Sequence, residues 1–168
     1  RLSTHMISPN GIKSILFDLD GTLRLHIPMG SDVFNNFALS LGIPLHSEDS
    51  ARAARWEHYY FANSPEIKLD KQKYASQNFE NDSFWINFGR RRLIVMGCSP
   101  AQAAELAPQI SAHMAENYKP QVHLPAGARA LLATLKDAGY VLGMVSNRDK
   151  PFEEELKEMG LREFFQFT

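Results

Sequence analysis

The spacing of hydrophobic positions changes along the chain and separates strand-like from helical sequence. Short apolar runs that end in turn residues, Ser14–Phe17 and Tyr140–Val145, predict buried strands. Between these runs the apolar residues recur at helical spacing, which predicts amphipathic helices. The predicted helices are Val33–Leu41 with Ser31 or Asp32 as cap, Ser47–Ala62 ending before Ser64-Pro65, Asp70–Phe79, Asp82–Gly97, and a last helix that opens at Ser99-Pro100, is kinked or interrupted at Pro108 and ends before Lys119.

Proline-bearing stretches on either side of this helical block, Leu23–Gly30 and Pro120–Pro125, are typical of linkers. After the second stretch the pattern is helix, strand, helix, strand: Ala128–Ala138, Tyr140–Val145, a helix capped by Asp149 and ending at Met159, and Phe164–Phe167. This order predicts an α/β core with a parallel sheet over residues 1–24 and 121–168. An all-helical cap, residues 25–120, is expected as an insertion in that core.

Composition narrows the class of protein. The chain has 168 residues, 44% of them hydrophobic, and a net charge of −1, so bulk charge does not favour nucleic acid or acidic membrane as a partner. No apolar run reaches the length of a membrane span, and the first residues lack the apolar stretch of a signal peptide. A single cysteine, Cys98, suits a reducing compartment, so a cytoplasmic location is expected.

The candidate chemistry begins where the first strand ends. Side chains two residues apart on a strand point the same way, so Asp18 and Asp20 should lie close together at its carboxyl end. Ligands bind at that end of an open parallel sheet. The repulsion between the two carboxylates is relieved either by a bridging cation or by a proton that one of them retains. A hard cation such as Mg²⁺ binds through one or two carboxylates. Asp18 is then a candidate nucleophile and Asp20 a candidate general acid and base.

Neighbouring residues could support such a site. Gly21 permits a sharp turn that exposes backbone N–H groups toward a phosphate, and Thr22 could cap that turn or orient Asp20. Ser146 and Asn147 follow the second predicted strand and could donate hydrogen bonds to phosphate oxygens. An ordinary strand-end turn is the alternative for Ser146-Asn147. A calcium loop at Asp18 is disfavoured, because the positions after Thr22 carry no further carboxylate ligands.

The sequence Asp18-Leu19-Asp20-Gly21-Thr22 resembles the first motif of the haloacid dehalogenase-like hydrolase superfamily. Val145-Ser146-Asn147 resembles its second motif, and the helical block is similar to the helical cap of the phosphoglycolate phosphatase-like branch. The resemblance implies a Rossmann-like parallel sheet core with an inserted helical cap. It implies that Asp18 is the nucleophile and a magnesium ligand, and that Asp20 is the acid/base and offers its backbone carbonyl to the metal. Ser146 and Asn147 would bind phosphate.

An aspartate at position 20 points within that family to phosphate ester chemistry. The expected function is therefore a magnesium-dependent phosphatase that acts on a small phosphorylated metabolite. A phosphomutase or another aspartate-nucleophile hydrolase is the enzymatic alternative, and a catalytically inactive binding module is the alternative of another class. The candidates for choosing the substrate are Arg24, His58, Trp85, Arg90 and Arg92, although Arg24 could equally be a surface linker residue and Arg90–Arg92 a solvated helix face.

The family's third and fourth motifs, a lysine and an acidic pair, would follow a third strand, and the chain stops at that strand. A truncated or cleaved form is therefore expected. In the family, the strand that bears the fourth motif pairs with the first strand, so one edge of Ile15–Asp18 should lack a partner. Another chain in a homo-oligomer, a swapped segment or further residues of the protein are expected to cover that edge.

Overall fold

The computed structural model describes residues 11–74, 82–148 and 150–168. Its elements are β1 (Ser14–Asp18), β2 (Leu25–Ile27), α1 (Gly30–Ser40), α2 (Ser47–Phe61), α3 (Pro65–Tyr74), α4 (Asp82–Val95), α5 (Pro100–Asn117), β3 (Gln121–His123), α6 (Ala128–Asp137), β4 (Val141–Val145), α7 (Glu153–Glu158) and a 3₁₀ turn (Arg162–Phe164). They divide into two units. Of the described residues, those up to Ile27 and those of Val122–Thr168 form the sheet unit, and those of Pro28–Gln121 form the helical unit.

The sheet unit is built on the parallel pair β1 and β4, so the predicted parallel α/β arrangement is confirmed. Leu142 and Met144 of β4 are buried, and they form one core with Leu132 of α6 and Leu156 of α7. The alternation of a strand sends these side chains to one face, which the two helices cover. The carboxyl ends of both strands remain available for chemistry at one edge of the sheet.

The second face of this sheet is apolar and exposed. Leu16 is 56% exposed, and Val141, Val145 and Phe167 are also exposed. Among the described residues β4 is the only strand that pairs with β1, so the other edge of β1 has no strand beside it. Edges and apolar faces of this kind are where further chain segments or other molecules dock.

The predicted third strand at Phe164–Phe167 forms only at its end. Arg162–Phe164 is a 3₁₀ turn instead, and Arg162 holds it by donating a hydrogen bond of 2.7 Å to the carbonyl of Phe165. Parallel pairing then begins, because the N–H of Met144 donates to the carbonyl of Phe167 at 3.0 Å. The tertiary placement of Phe165 in the core delays the strand by several residues.

The predicted linkers are partly wrong, because each contains a short strand. β2 and β3 pair with each other as a separate two-stranded sheet. Each strand has three residues, which is too short a pattern for periodicity to reveal. Their pairing depends on residues almost a hundred positions apart in the chain, so local sequence could not predict it.

The helical unit packs around α4 and α5, with Phe34 and Ala38 of α1 and Ala107 and Ile110 of α5 in its largest core cluster. Helix α2 matches its predicted range to within one residue. Helix α1 begins at Gly30 after the cap residue Met29, so neither Ser31 nor Asp32 is its cap. Helix α5 continues through Pro108, so of the two predicted effects the interruption is wrong and the kink stays a prediction.

The prediction for α3 mistook a start signal for a stop. The helix begins at Pro65, five residues before the predicted Asp70, and the Ser64 hydroxyl accepts a hydrogen bond of 3.2 Å from the N–H of Ile67. A capping serine followed by proline is a helix start. The end of the predicted helix, after Tyr74, lies outside the described residues, as does Asp149, the predicted cap of α7. In the structure Phe152 precedes α7.

Within the described parts of the chain, no helix has the length and apolar character needed to cross a membrane.

Candidate functional site

The parallel register brings the predicted motifs to one edge of the sheet. Asp18, the last residue of β1, lies opposite Val145, the last residue of β4. Ser146 therefore begins the segment that leaves the sheet beside Asp18. The carboxyl ends of parallel strands are where open α/β sheets bind ligands. The two strands are more than a hundred residues apart in sequence, so only their pairing creates this edge.

A tight turn presents the Asp18 carboxylate. Leu19 is completely buried, and its carbonyl accepts hydrogen bonds from the N–H groups of Thr22, Leu23 and Arg24 at 2.8–3.3 Å. Gly21 has φ +83°, a left-handed conformation that glycine adopts without strain. The predicted turn is confirmed. Its N–H groups from Gly21 to Arg24 bond within the turn, so these groups are not the ones displayed toward a phosphate.

Thr22 orients Asp18 rather than Asp20. Its hydroxyl donates a hydrogen bond of 3.2 Å to Oδ2 of Asp18. The predicted contact with Asp20 is wrong because the turn brings residue 22 back over the end of β1. The Asp18 carboxylate is otherwise exposed to solvent, which leaves it accessible to a cation or to a substrate.

Asp20 belongs to a cluster of charges that sequence reasoning missed. Its Oδ1 lies 3.0 Å from Nη1 of Arg24, and its Oδ2 lies 3.5 Å from Nε of Arg148. Both arginines also contact Glu155 of α7: Arg148 forms a two-pronged pair at 2.6 and 2.9 Å, and Nη1 of Arg24 lies 3.4 Å from Oε2. The cluster brings together two guanidinium groups and two acidic side chains, and its formal charge is balanced when both acids are ionised.

The cluster alters the ionisation of its members. The hydrogen bond from Arg148 lowers the pKa of Glu155, and the same bond raises the pKa of the Arg148 guanidinium. Burial lowers the pKa of nearby His26, and the charge of Arg24 lowers it further. Arg24, predicted as a substrate-choosing residue, is thus engaged with acidic groups of the sheet unit.

Sequence patterns gave little indication that Arg148 and Glu155 belong to the site. Arg148 directly follows Ser146-Asn147, and Glu155 is one of three consecutive glutamates in the first turn of α7. Nothing local distinguishes Glu155 from the other two.

Ser146 itself is half-buried, and its hydroxyl oxygen accepts a hydrogen bond of 3.3 Å from the N–H of Arg148, while Asn147 is exposed.

The other substrate-choosing candidates lie on the helical unit. His58 is exposed in the last turn of α2, and Trp85 is 41% exposed beside Phe84 and Phe88. Arg90 donates a hydrogen bond of 3.1 Å to Asn87 and lines a cleft of about 550 Å³. Arg92 differs from these, because it is only 2% exposed and its guanidinium lies over the ring of Phe34. Its charge is therefore used inside the helical unit, which favours a structural role over contact with a substrate.

The donor set at the end of β1 fits a magnesium ion held largely by water and substrate. Magnesium usually takes one or two carboxylates and keeps several other oxygen ligands. Asp18 offers an accessible carboxylate, whereas the side chain of Asp20 is engaged with arginines. Within the described residues, no group of three or more His, Cys, Asp or Glu side chains could enclose a metal. Among the side chains at this edge, Asp18 is thus the one that could hold such an ion.

Comparison with known proteins connects this edge to a family. A model of haloacid dehalogenase-like hydrolases matches residues 12–168. A predicted phosphoglycolate phosphatase from Haemophilus somnus 129PT is 19% identical, with a TM-score of 0.42, 93% of this chain covered and 61% of that chain. The 2-haloacid dehalogenase from Pseudomonas syringae pv. tomato DC3000 is 18% identical, with a TM-score of 0.35 and coverages of 93% and 62%.

A third solved structure is the HAD hydrolase YfnB from Bacillus subtilis, bound to magnesium. It is 19% identical, with a TM-score of 0.38 and coverages of 93% and 62%. A search of curated proteins found no match. The chain spans 61–62% of the length of these solved structures.

Proposed function

The chain belongs to the haloacid dehalogenase-like hydrolase family, and we propose that it is part of a magnesium-dependent phosphatase acting on a small phosphorylated metabolite. The observation that carries the proposal is the register of β1 and β4. It places Asp18 opposite Val145, so that Ser146 and Asn147 begin beside the accessible carboxylate. A nucleophile and hydrogen-bond donors at the carboxyl edge of a parallel sheet are suited to phosphoryl transfer.

In the proposed reaction, a carboxylate oxygen of Asp18 attacks phosphorus, and the bond from phosphorus to the ester oxygen breaks. Asp20 must enter this step protonated; it gives that proton to the departing alkoxide and becomes a carboxylate, so the alcohol leaves neutral. A water molecule then attacks the aspartyl-phosphate at phosphorus and transfers a proton to the Asp20 carboxylate, while the bond from phosphorus to the Asp18 oxygen breaks. Inorganic phosphate leaves, and both aspartates return to their starting states.

The remaining residues have supporting roles in this proposal. Thr22 holds Oδ2 of Asp18, which limits rotation of the nucleophile. The Ser146 hydroxyl and the backbone N–H of Asn147 would donate to phosphate oxygens as negative charge develops. Magnesium, held by Asp18 and the backbone carbonyl of Asp20, would supply positive charge against the phosphoryl oxygens.

Phosphatase activity is tested with a form of the protein that extends beyond Thr168, using p-nitrophenyl phosphate and Mg²⁺. We expect Asp18→Asn to lower kcat by a factor of at least about 10³, because the nucleophile is lost. Asp137→Asn is the matched control, since Asp137 is an exposed aspartate in the last turn of α6 of the same unit. It should leave kcat unchanged.

The intermediate is tested by quenching the reaction in acid and reducing the protein with borohydride. An aspartyl-phosphate at Asp18 is converted to homoserine, which peptide mass spectrometry identifies. Unchanged turnover in Asp18→Asn would refute the nucleophile assignment. Transfer of phosphate to a sugar phosphate rather than to water would instead indicate a phosphomutase, and binding of phosphate esters without turnover would indicate a binding module.

A further inference from the structure

Arg148 connects three parts of the sheet unit. Its backbone N–H donates to Oγ of Ser146 at 3.3 Å, immediately after β4. Its guanidinium donates two hydrogen bonds to Glu155 of α7, and its Nε lies 3.5 Å from Oδ2 of Asp20 beyond β1. One residue thus connects the segments that follow the two strands with helix α7.

Glu155 gives this arrangement a rigid base. It precedes Leu156, which is completely buried in the core of the sheet unit and fixes the first turn of α7. A paired arginine and carboxylate have a fixed planar geometry, so Glu155 determines the position of the guanidinium as well as its charge. Arg24 approaches the same two carboxylates from within the turn, four residues after Asp20.

We propose that Arg148, clamped by Glu155, is a positioning residue that holds the carboxyl group of Asp20 in place, both when it gives a proton to the leaving group and when, as a carboxylate, it takes one from water. This inference rests on the proposed function. The Asp20 side chain is 34% exposed, so packing alone does not fix its rotamer. Its contacts with charged groups of the protein must therefore hold it. Arg24 contacts Oδ1 and Arg148 contacts Oδ2, so the carboxylate is held from both sides. Displacement of a catalytic group by about 1 Å can reduce the rate about a hundredfold.

The test compares two phosphate esters in the extended protein. A p-nitrophenolate leaves readily without a proton, whereas an alkoxide needs one from Asp20. We expect Arg148→Met to lower kcat about tenfold to a hundredfold for an alkyl phosphate and several-fold less for p-nitrophenyl phosphate, with KM changed little. A purely structural role for Arg148 would lower both rates by the same factor.

Further variants identify the clamp. Glu155→Gln should show the same selective loss, and its combination with Arg148→Met should add little, because both changes remove one clamp. In an Asp20→Asn background, Arg148→Met should have no further effect on the alkyl ester. Glu154→Gln is the matched control on the same helix: Glu154 is 80% exposed, pairs with Lys157 and should leave both rates unchanged.

A measurement without turnover separates this proposal from the proposed function. In crystal structures of the extended protein, Arg148→Met should displace the Asp20 carboxylate while Asp18 stays in place. An unmoved Asp20 or equal losses for the two esters would overturn the positioning role even if the phosphatase is active. Absence of Asp18-dependent turnover in the parent protein would overturn both the proposed function and this catalytic role.

Discussion

Replacing Arg92 separates the packing of its side chain from the effect of its charge. The guanidinium carbon lies 4.3 Å from the centroid of the Phe34 ring, and Nη2 donates to Asn35 at 3.3 Å. Nε lies 3.6 Å from Oε2 of Glu57 and has no hydrogen-bond partner among the described residues. Burial lowers the pKa of this guanidinium, because a charged group is less stable away from water.

These contacts determine the expected loss on truncation. The cation over the ring contributes about 0.5–2 kcal/mol, and the hydrogen bond to Asn35 about 1 kcal/mol. The pair with Glu57 adds at most about 1 kcal/mol because Glu57 is partly exposed. With the cavity that remains, Arg92→Ala should lower the free energy of unfolding by about 3 kcal/mol. Arg92→Met retains most of the volume and removes the buried charge, so it should cost less than about 1.5 kcal/mol.

Denaturant unfolding followed by tryptophan fluorescence tests this difference. The chain has two tryptophans, Trp56 and Trp85, and both lie in the helical unit, so the signal reports on that unit. Arg55→Ala, at an exposed position of α2, is the control and should change the free energy by less than about 0.5 kcal/mol.

Equal destabilisation by Ala and Met would refute the packing argument, as would an Arg92→Ala protein of unchanged stability. Activity assays of the extended protein then address the prediction made from sequence. If Arg92→Met is stable and raises KM, Arg92 has a role in substrate choice. If kcat/KM is unchanged, the role of Arg92 is structural.

The remaining predictions concern stability and association. Gly143→Ala should destabilise the sheet unit by about 1–3 kcal/mol, because a Cβ there would lie 2.8 Å from Cδ2 of Leu16 and would overlap the Phe167 ring. Thermal unfolding measures this loss, and a second substitution, Leu16→Ala, should recover part of it. In the helical unit, Tyr60→Phe should lower the free energy of unfolding by about 1–2 kcal/mol, because it removes the 3.0 Å hydrogen bond from Tyr60 to buried Asp70. Asp70→Asn should lower it by more, because it also breaks the ion pair with Arg91. Unfolding in denaturant followed by tryptophan fluorescence ranks the two variants, and the reverse order would contradict this network. Arg148 lowers the pKa of Glu155 on folding, so the contribution of Glu155 to stability is present above its ordinary pKa of 4.5 and is lost as the pH falls through the lowered pKa. Glu155→Gln should therefore lose less stability than the parent protein between neutral and acidic pH. Equal losses of unfolding free energy in the two proteins over this range would refute the prediction. The exposed face around Leu16 should make the 168-residue chain associate as its concentration rises, and Leu16→Ser should weaken that association in sedimentation experiments; identical behaviour of the two proteins would exclude this face.

Local sequence was sufficient where a structure is stabilised by neighbours in the chain. Helix α2, helix α6 and strand β4 were predicted close to their observed bounds. Helical hydrogen bonds join residues four apart, and a buried strand shows as a continuous apolar run, so both leave a pattern in a short window. The same reasoning predicted that Asp18 and Ser146 follow neighbouring parallel strands, which the register confirms.

Some sequence patterns are compatible with two structures, and only the tertiary structure shows which one forms. Ser64-Pro65 can end one helix or begin the next, and the packing of Ile67 in the helical unit accompanies its use as a start. The run from Arg90 to Arg92 is similarly ambiguous. Helical geometry turns successive side chains in different directions, and only the position of Phe34 decides that Arg92 is the buried one.

The sequence by itself determined the Asp18–Thr22 motif, the helical block and the α/β order, because each depends on residue type and short-range spacing. Tertiary structure decided which charges meet. Asp20, Arg148 and Glu155 lie on separate parts of the chain, and they come together only because β1 pairs with β4 and α7 packs against the same core. An ion pair depends on distance in space, which the spacing of residues along a chain does not specify.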